Sequence, residues 1–304
     1  KELIAAVLTE KYNVLYTQGN LNNHIGVPKT LLRLTAEHEI AVIEMGANHP
    51  GEIKTLAEIA EPDCGIITNV GRAHLGGFGR FEGVVRTKGE LYDFLRRSNA
   101  TVFIHAENEH LLNMAGGLTL IKYGTQPAEG LLVTGETGEC APFLSFTWHR
   151  AGGETHHVQT KLIGDYNIYN MLAAAAIGVS LGLSDEQICH ALAQYTPSNN
   201  RSQLTVTERN RLVVDAYNAN PTSMAAALSN FSSMKAEHKM MILGSMGELG
   251  DVSVAEHQKV VETIIATGIS DVWLVGSEFA RIAHPFRQFA DVEEVKRAIA
   301  AEDI

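Results

Sequence analysis

Short apolar runs alternate with amphipathic stretches of helical period along this 304-residue chain, and that alternation constrains the fold more than any other feature. Glu39-Ile-Ala-Val-Ile-Glu44 reads as a buried strand, followed by a helix over about Gly51–Ala60. Asp63–Asn69 and Thr101–His105 read as further strands, with helices over Thr87–Arg97 and about Glu109–Ala115. Strands that alternate with helices predict a mostly parallel sheet covered on both faces. From Leu118 to Leu162 the texture changes to short strands with Gly-rich turns, such as Phe143-Leu-Ser-Phe-Thr-Trp148, which predicts an antiparallel flap or edge sheet on the same domain. Asn167–Leu181 is an Ala-dense helix, and Ser184 caps the next with Gln187 as its capping-box partner. Tyr195-Thr-Pro-Ser-Asn-Asn200 reads as a linker. Beyond it, Leu212–Asp215, Met240–Leu243 and Val272–Val275 read as strands of a second, Rossmann-like α/β unit, so two domains are expected, 1–196 and 197–304.

Composition narrows the partners. Formal net charge is −11, with 24 basic and 35 acidic side chains, which disfavours a nucleic-acid or anionic-membrane surface. The three cysteines, Cys64, Cys140 and Cys189, have no metal-ligand spacing and suit a reducing cytoplasm. No apolar run reaches transmembrane length, and no signal peptide is visible.

Open α/β sheets bind ligands beyond the carboxyl ends of their strands, and the polar residues gather there. Glu44 ends the first strand and leads into Met45-Gly-Ala-Asn48; Asn69 ends the second and leads to Gly71-Arg-Ala-His74. A carboxylate and an imidazole so placed can hold a divalent cation, Mg²⁺ preferring the oxygen ligand; alternatively Glu44 caps a helix and His74 is a loop residue. Thr17–Pro28 is a polar loop before a helix starting near Pro28, read either as a turn or as a substrate loop whose Asn20, Asn22 and Asn23 amides meet phosphate or sugar. Asn167 and Asn170 share a helix face: one suits an N-cap, leaving the other to read a nucleobase edge. Asp215, Tyr217, Asn218 and Asn220 crowd a connector between a strand read as buried and a helix expected near Ser223, which is more polar than a turn requires. Gly244-Ser-Met-Gly-Glu-Leu-Gly250 departs from dinucleotide spacing and reads as a structural turn.

These segments together resemble the Mur ligases. The similarity runs through Gly19-Asn-Leu-Asn-Asn23, Ile25-Gly-Val-Pro28, Glu44-Met-Gly-Ala-Asn48, Asn69-Val-Gly-Arg-Ala-His74, Lys88-Gly-Glu90, Asn167–Asn170, Asp215-Ala-Tyr-Asn-Ala-Asn-Pro221 and Leu243-Gly-Ser-Met-Gly-Glu-Leu-Gly250. It is closest to the member type that adds D-alanyl-D-alanine to UDP-N-acetylmuramoyl-tripeptide during peptidoglycan precursor synthesis. The resemblance implies an ATPase-like central domain, ATP and Mg²⁺ as cofactors, and amide formation through an acyl phosphate. It implies Glu44, His74 and a carbamylated Lys88 around the metal. Arg201 would reach the γ-phosphate, although the usual preceding Gly is Asn200 here. Asn167, Asn170, Asp215, Tyr217, Asn218 and Asn220 would lie at the nucleotide, and Asn20, Asn22 and Asn23 at the muramoyl substrate. Closure about a hinge near Pro197 would complete the site.

The family's Gly-x-x-Gly-Lys-Thr/Ser phosphate loop, its uridine-binding N-terminal domain and a C-terminal Lys-Gly-Ser motif are not among these 304 residues. The chain therefore reads as a piece of a longer monomeric protein, expected to show little ligase activity alone. The competing readings are a folylpolyglutamate synthase-like ligase, a dinucleotide-binding oxidoreductase domain for the second unit, and a non-catalytic nucleotide-binding fragment.

Overall fold

The computed structural model describes residues 1–70, 81–140, 142–197, 203–216 and 218–302. The chain divides into two compact units; described residues up to 197 belong to the first and those from 203 onward to the second. The architecture is α/β with mostly parallel pairing, as the alternating pattern predicts.

In the first unit α1 (Glu2–Thr9) buries Ile4, Val7 and Leu8 along one face. Strand β1 (Val14–Tyr16), α2 (Gly26–Leu31) and β2 (Ile40–Val42) follow, and β1 and β2 pair in parallel. Then come α3 (Glu52–Ala60), β3 (Cys64–Ile66), α4 (Phe81–Arg97), β4 (Thr101–His105) and α5 (Glu109–Met114). Strands β5 (Thr119–Gly124), β6 (Leu131–Cys140), β7 (Phe143–Arg150) and β8 (His156–Ile163) precede α6 (Asn167–Ser180) and α7 (Asp185–Gln194). A six-stranded sheet runs in chain order from β3 to β8, parallel through β6 and antiparallel from there on. The 118–162 region is thus an extension of the main sheet rather than a flap, and β5 belongs to its parallel part. Helix α6 explains why: its Met171, Leu172 and alanines share one core with Val133 of β6 and with Phe146 and Trp148 of β7. Small side chains let a helix lie close to a sheet, and here they hold the antiparallel strands in the layer.

The strand expected to be buried at Glu39–Glu44 is less so. Ala41 of β2 is exposed, because β1 is the one described partner of β2. Cys64 of β3 is exposed at the edge of the large sheet, and the three cysteines are all free. Helix α4 begins at Phe81, six residues before the expected Thr87; Val84, Thr87 and Leu95 continue one buried stripe that Gly83 and Gly89 disguise.

The second unit opens with an antiparallel pair, β9 (Gln203–Val206) and β10 (Arg211–Val214), followed by α8 (Pro221–Ser233). Strands β11 (Met240–Gly244), β12 (Asp271–Val275) and β13 (Arg287–Phe289) form a parallel sheet with α9 (Ser253–Thr267) and α10 (Val292–Ala301). Strand β10, expected to be buried, pairs in antiparallel with β9, and Leu212 is exposed. The period-2 alternation of β12 places Val272 and Leu274 in one core with Met224, Leu228 and Val261, and Trp273 and Val275 in another with Phe289 and Val295. Helices therefore cover both faces. No helix among the described residues is long and apolar enough to cross a membrane.

The turn after β11 has left-handed backbone at Glu248 and Gly250, with φ of 60° and 54°. Buried His257 of α9 anchors it: Met246 N–H donates to Nε2 at 2.9 Å, so Nδ1 carries the proton and donates to the Ser253 carbonyl at 2.8 Å. His257→Leu leaves the Met246 amide buried without an acceptor. The expected cost is about 1–3 kcal/mol of unfolding free energy in urea titration; an unchanged midpoint and slope would show that the anchor is dispensable.

Candidate functional site

The loops after β1 and β2 are tied to each other before any ligand is considered. Thr17, fully buried just past β1, accepts the Glu44 N–H through its hydroxyl at 2.9 Å, and Asn22 O accepts the Gly46 N–H at 2.8 Å. The Asn22 side-chain amide donates to Glu44 Oε1 at 2.8 Å, while Lys1 Nζ lies 3.1 Å from Oε2 and donates to the Gly19 carbonyl at 2.8 Å. Burial pushes the Glu44 carboxyl up, but the Asn22 amide and the Lys1 ammonium outweigh it and hold the group below its ordinary value. Glu44 is therefore a fixed anion at a strand tip. It caps no helix.

The capping of α3 falls to Glu90, on α4. Gly51, the N-cap residue, has no side chain to offer, and Glu90 accepts the Gly51 and Lys54 N–H groups at 2.7 and 2.9 Å. Two residues earlier on the same helix, Lys88 Nζ donates to the Asn69 carbonyl at 3.2 Å, which places the ammonium just beyond β3. Burial draws the Lys88 pKa below the ordinary lysine value, and among the described residues no carboxylate pairs with it.

The other expected residues sort by geometry. Asn23 Oδ1 accepts the Ile25 and Gly26 N–H groups and so starts α2, whereas Asn20 is exposed. Neither Asn167 nor Asn170 caps α6, since the N-cap is Tyr166. Asn167 is buried and donates to the Ile163 carbonyl at 2.8 Å, and Asn170 donates to Asn167 Oδ1 at 3.0 Å. The two amides act as a chained pair, with Asn170 at the exposed end. In the second unit Asn220 is the N-cap of α8, in a reciprocal capping box with Ser223, so the helix starts at Pro221. Its carboxamide oxygen is thereby engaged. Asp215 and Asn218 are exposed. His74, Arg201 and Tyr217 lie outside the described residues.

Three or more His, Cys, Asp or Glu side chains do not converge anywhere among the described residues. What the described residues supply toward a cation is one ionised carboxylate with fixed orientation and one lysine whose neutral amine is favoured by burial. The carboxylate suits a hard divalent ion that shares its shell with phosphate oxygens and water; the lysine would suit one only as an oxygen-bearing carbamate. The sequence reading passed over Glu107 and the capping role of Glu90. Glu107 stands two residues past the end of β4, so the same strand-tip rule that selected Glu44 points to it.

A parallel sheet with its polar side chains beyond the strand tips, joined in sequence to a second α/β unit, defines an α/β ligand-binding protein of two units. Within that class the chain belongs to the Mur ligase family: residues 1–178 match the Mur ligase middle domain, and residues 200–303 match the Mur ligase, glutamate ligase domain. It is 37% identical over 282 residues to the UDP-N-acetylmuramoyl-tripeptide--D-alanyl-D-alanine ligase of Escherichia coli, covering 91% of this chain and 62% of that protein. The crystal structure of MurF from Acinetobacter baumannii superposes with a TM-score of 0.88 at 30% identity, over 99% of this chain and 66% of that one. MurF ligase from Thermotoga maritima in complex with ADP shares the fold, with a TM-score of 0.86 at 24% identity, over 100% of this chain and 70% of that one. The chain thus spans less than two thirds of the length of the Escherichia coli relative.

Proposed function

We propose that this chain is the ATP-using body of a cytoplasmic, monomeric peptide ligase that joins D-alanyl-D-alanine to UDP-N-acetylmuramoyl-tripeptide. The observation that carries the reading is the Glu44 carboxylate, ionised and oriented by Asn22 at a strand tip, in a chain that belongs to the Mur ligase family. The 37% identity to the Escherichia coli enzyme supports the choice of substrates, and the ADP complex of the Thermotoga maritima relative supports the nucleotide.

A carboxylate does not acylate an amine at neutral pH, because oxide is too poor a leaving group. Transfer of the ATP γ-phosphoryl group to the peptide carboxylate gives an acyl phosphate; the dipeptide amine then attacks its carbonyl carbon, and inorganic phosphate leaves. The protein's task in such chemistry is alignment and charge neutralisation. Glu44, His74 and Lys88 would hold Mg²⁺, which lowers the repulsion between triphosphate and carboxylate. Lys88 does so as its carbamate: the neutral amine adds to CO₂ and releases a proton, and burial favours that neutral amine. Asn170 is the member of the Asn167 pair free to meet the base, and Arg201, Asp215, Tyr217, Asn218 and the Nδ2 of Asn220 complete the nucleotide contacts. Of the substrate loop, Asn20 is the amide exposed for the muramoyl ligand, whereas Asn22 and Asn23 shape the loop. The domain boundary belongs at residues 196–197.

The test uses the full-length protein that contains this chain. Phosphate release from ATP is expected to require UDP-N-acetylmuramoyl-tripeptide and D-alanyl-D-alanine together, with a coupled pentapeptide product by mass spectrometry. Equal turnover with a single amino acid in place of the dipeptide would refute the assigned acceptor.

A further inference from the structure

The Glu44 carboxylate has a cation of the protein's own beside it. Lys1 Nζ lies 3.1 Å from Glu44 Oε2 and 3.4 Å from Glu2 Oε1, and it donates to the Gly19 carbonyl at 2.8 Å. The other Glu2 oxygen, Oε2, accepts the phenol of Tyr195, the C-cap residue of α7, at 2.8 Å. A row therefore runs from Tyr195 through Glu2, Lys1 and Glu44 to Asn22, with one ammonium between two carboxylates. It joins the start of α1 and the end of α7 to the loops after β1 and β2. The side chains of Lys1, Glu2 and Glu44 are only 13%, 21% and 30% exposed, so their charges are less screened than those of a surface pair.

Lys1 is not needed to orient the carboxylate. Asn22 holds Glu44 Oε1 at 2.8 Å, and the Thr17 hydroxyl holds the Glu44 N–H at 2.9 Å. What Lys1 adds is charge, placed against the same oxygens that a metal ion would use. Even at the dielectric constant of water, a unit charge about 5 Å from a divalent ion weakens its binding about tenfold. Glu2 works in the opposite sense, because it shares the ammonium. We propose that Lys1 acts through Glu44 as its built-in counter-ion, making the strand tip a poor site for a free divalent cation. Lys1 repels a bare ion but attracts one carried on a polyphosphate, whose net charge is negative, so the tip favours metal that comes with nucleotide. Glu2, held by Tyr195, sets how much of the ammonium's charge falls on Glu44. The inference rests on the reading of Glu44 as a metal ligand given above.

The experiment titrates Mn²⁺, a paramagnetic probe for the Mg²⁺ site, into the full-length protein by electron paramagnetic resonance, without nucleotide and with ADP. Lys1→Gln is expected to tighten nucleotide-free Mn²⁺ binding about tenfold. Glu2→Gln leaves the ammonium to Glu44 and is expected to weaken it about threefold. Opposite signs mark an effect of charge, since loss of a merely structural contact would weaken binding in both variants. Lys1→Arg keeps the charge and should bind Mn²⁺ as weakly as the unsubstituted protein; Lys1→Met replaces Lys1→Gln if the latter does not fold. With ADP the gain from Lys1→Gln should disappear, because attraction to the phosphates is lost along with repulsion of the ion. Unchanged or weaker Mn²⁺ binding in Lys1→Gln, tighter binding in Glu2→Gln, or an undiminished gain with ADP would overturn the counter-ion role. Tightened binding in Lys1→Gln that a further Glu44→Gln substitution leaves untouched would instead overturn the metal reading of Glu44, and this inference with it.

Discussion

Glu44→Gln in the full-length protein is expected to lower ATP-dependent amide formation by at least about a hundredfold, the usual consequence of removing one electrostatic contact to a reacting phosphoryl group. The substitution is nearly isosteric, so the Asn22 bond at 2.8 Å can re-form with the amide oxygen and the two loops stay joined through Thr17 and the Gly46 N–H. What disappears is the charge. A neutral side chain cannot balance a divalent ion, and Lys1, 3.1 Å away, loses one anionic neighbour while Glu2 stays at 3.4 Å. Steady-state phosphate release measures the effect, with thermal unfolding as the control for folding. Turnover within about threefold of the unsubstituted protein would remove Glu44 from the metal assignment.

Lys88→Ala is expected to be as damaging, and Lys88→Arg equally so, because a guanidinium stays protonated and cannot form a carbamate. The pH dependence has a definite sign. Burial lowers the folded-state pKa of Lys88, so the reactive neutral amine persists to lower pH than in a free lysine. Activity should therefore fall on the acid side, as protonation of the amine discharges CO₂, and added bicarbonate should shift that limb to lower pH. By linkage, an unmodified Lys88 destabilises the fold below its folded pKa; that penalty is relieved as pH rises through the interval up to the unfolded lysine value. Incubation with ¹³C-bicarbonate should give a carbamate carbonyl signal that Lys88→Ala lacks. Full activity of Lys88→Arg would sink the carbamate.

Elements governed by neighbours in sequence were legible before any coordinates. The Ser184–Gln187 capping box is present as read, because both of its bonds close within three residues. The strand Thr101–His105 and the helix Glu109–Met114 follow from local periodicity in the same way. Asparagines were harder, since their amides serve caps, turns and ligands alike. Asn220 was read only as a site residue and is also a cap, whereas Asn167, open to reading as a cap, reaches back to the Ile163 carbonyl.

The chain by itself determined the alternation of strand and helix, the family, and the placing of Glu44, Asn69 and Glu107 at or just past strand tips, because side-chain period and strand length are local properties. Tertiary structure alone decided what those carboxylates touch. Glu90 caps a helix 36 to 39 residues away, Asn22 orients Glu44 across 22, and Glu107 gathers partners 18 to 62 residues distant. Charge and hydrogen bonding act through space, so the ionisation of Glu44 and Lys88 follows from burial and from neighbours that only folding brings within a few ångströms.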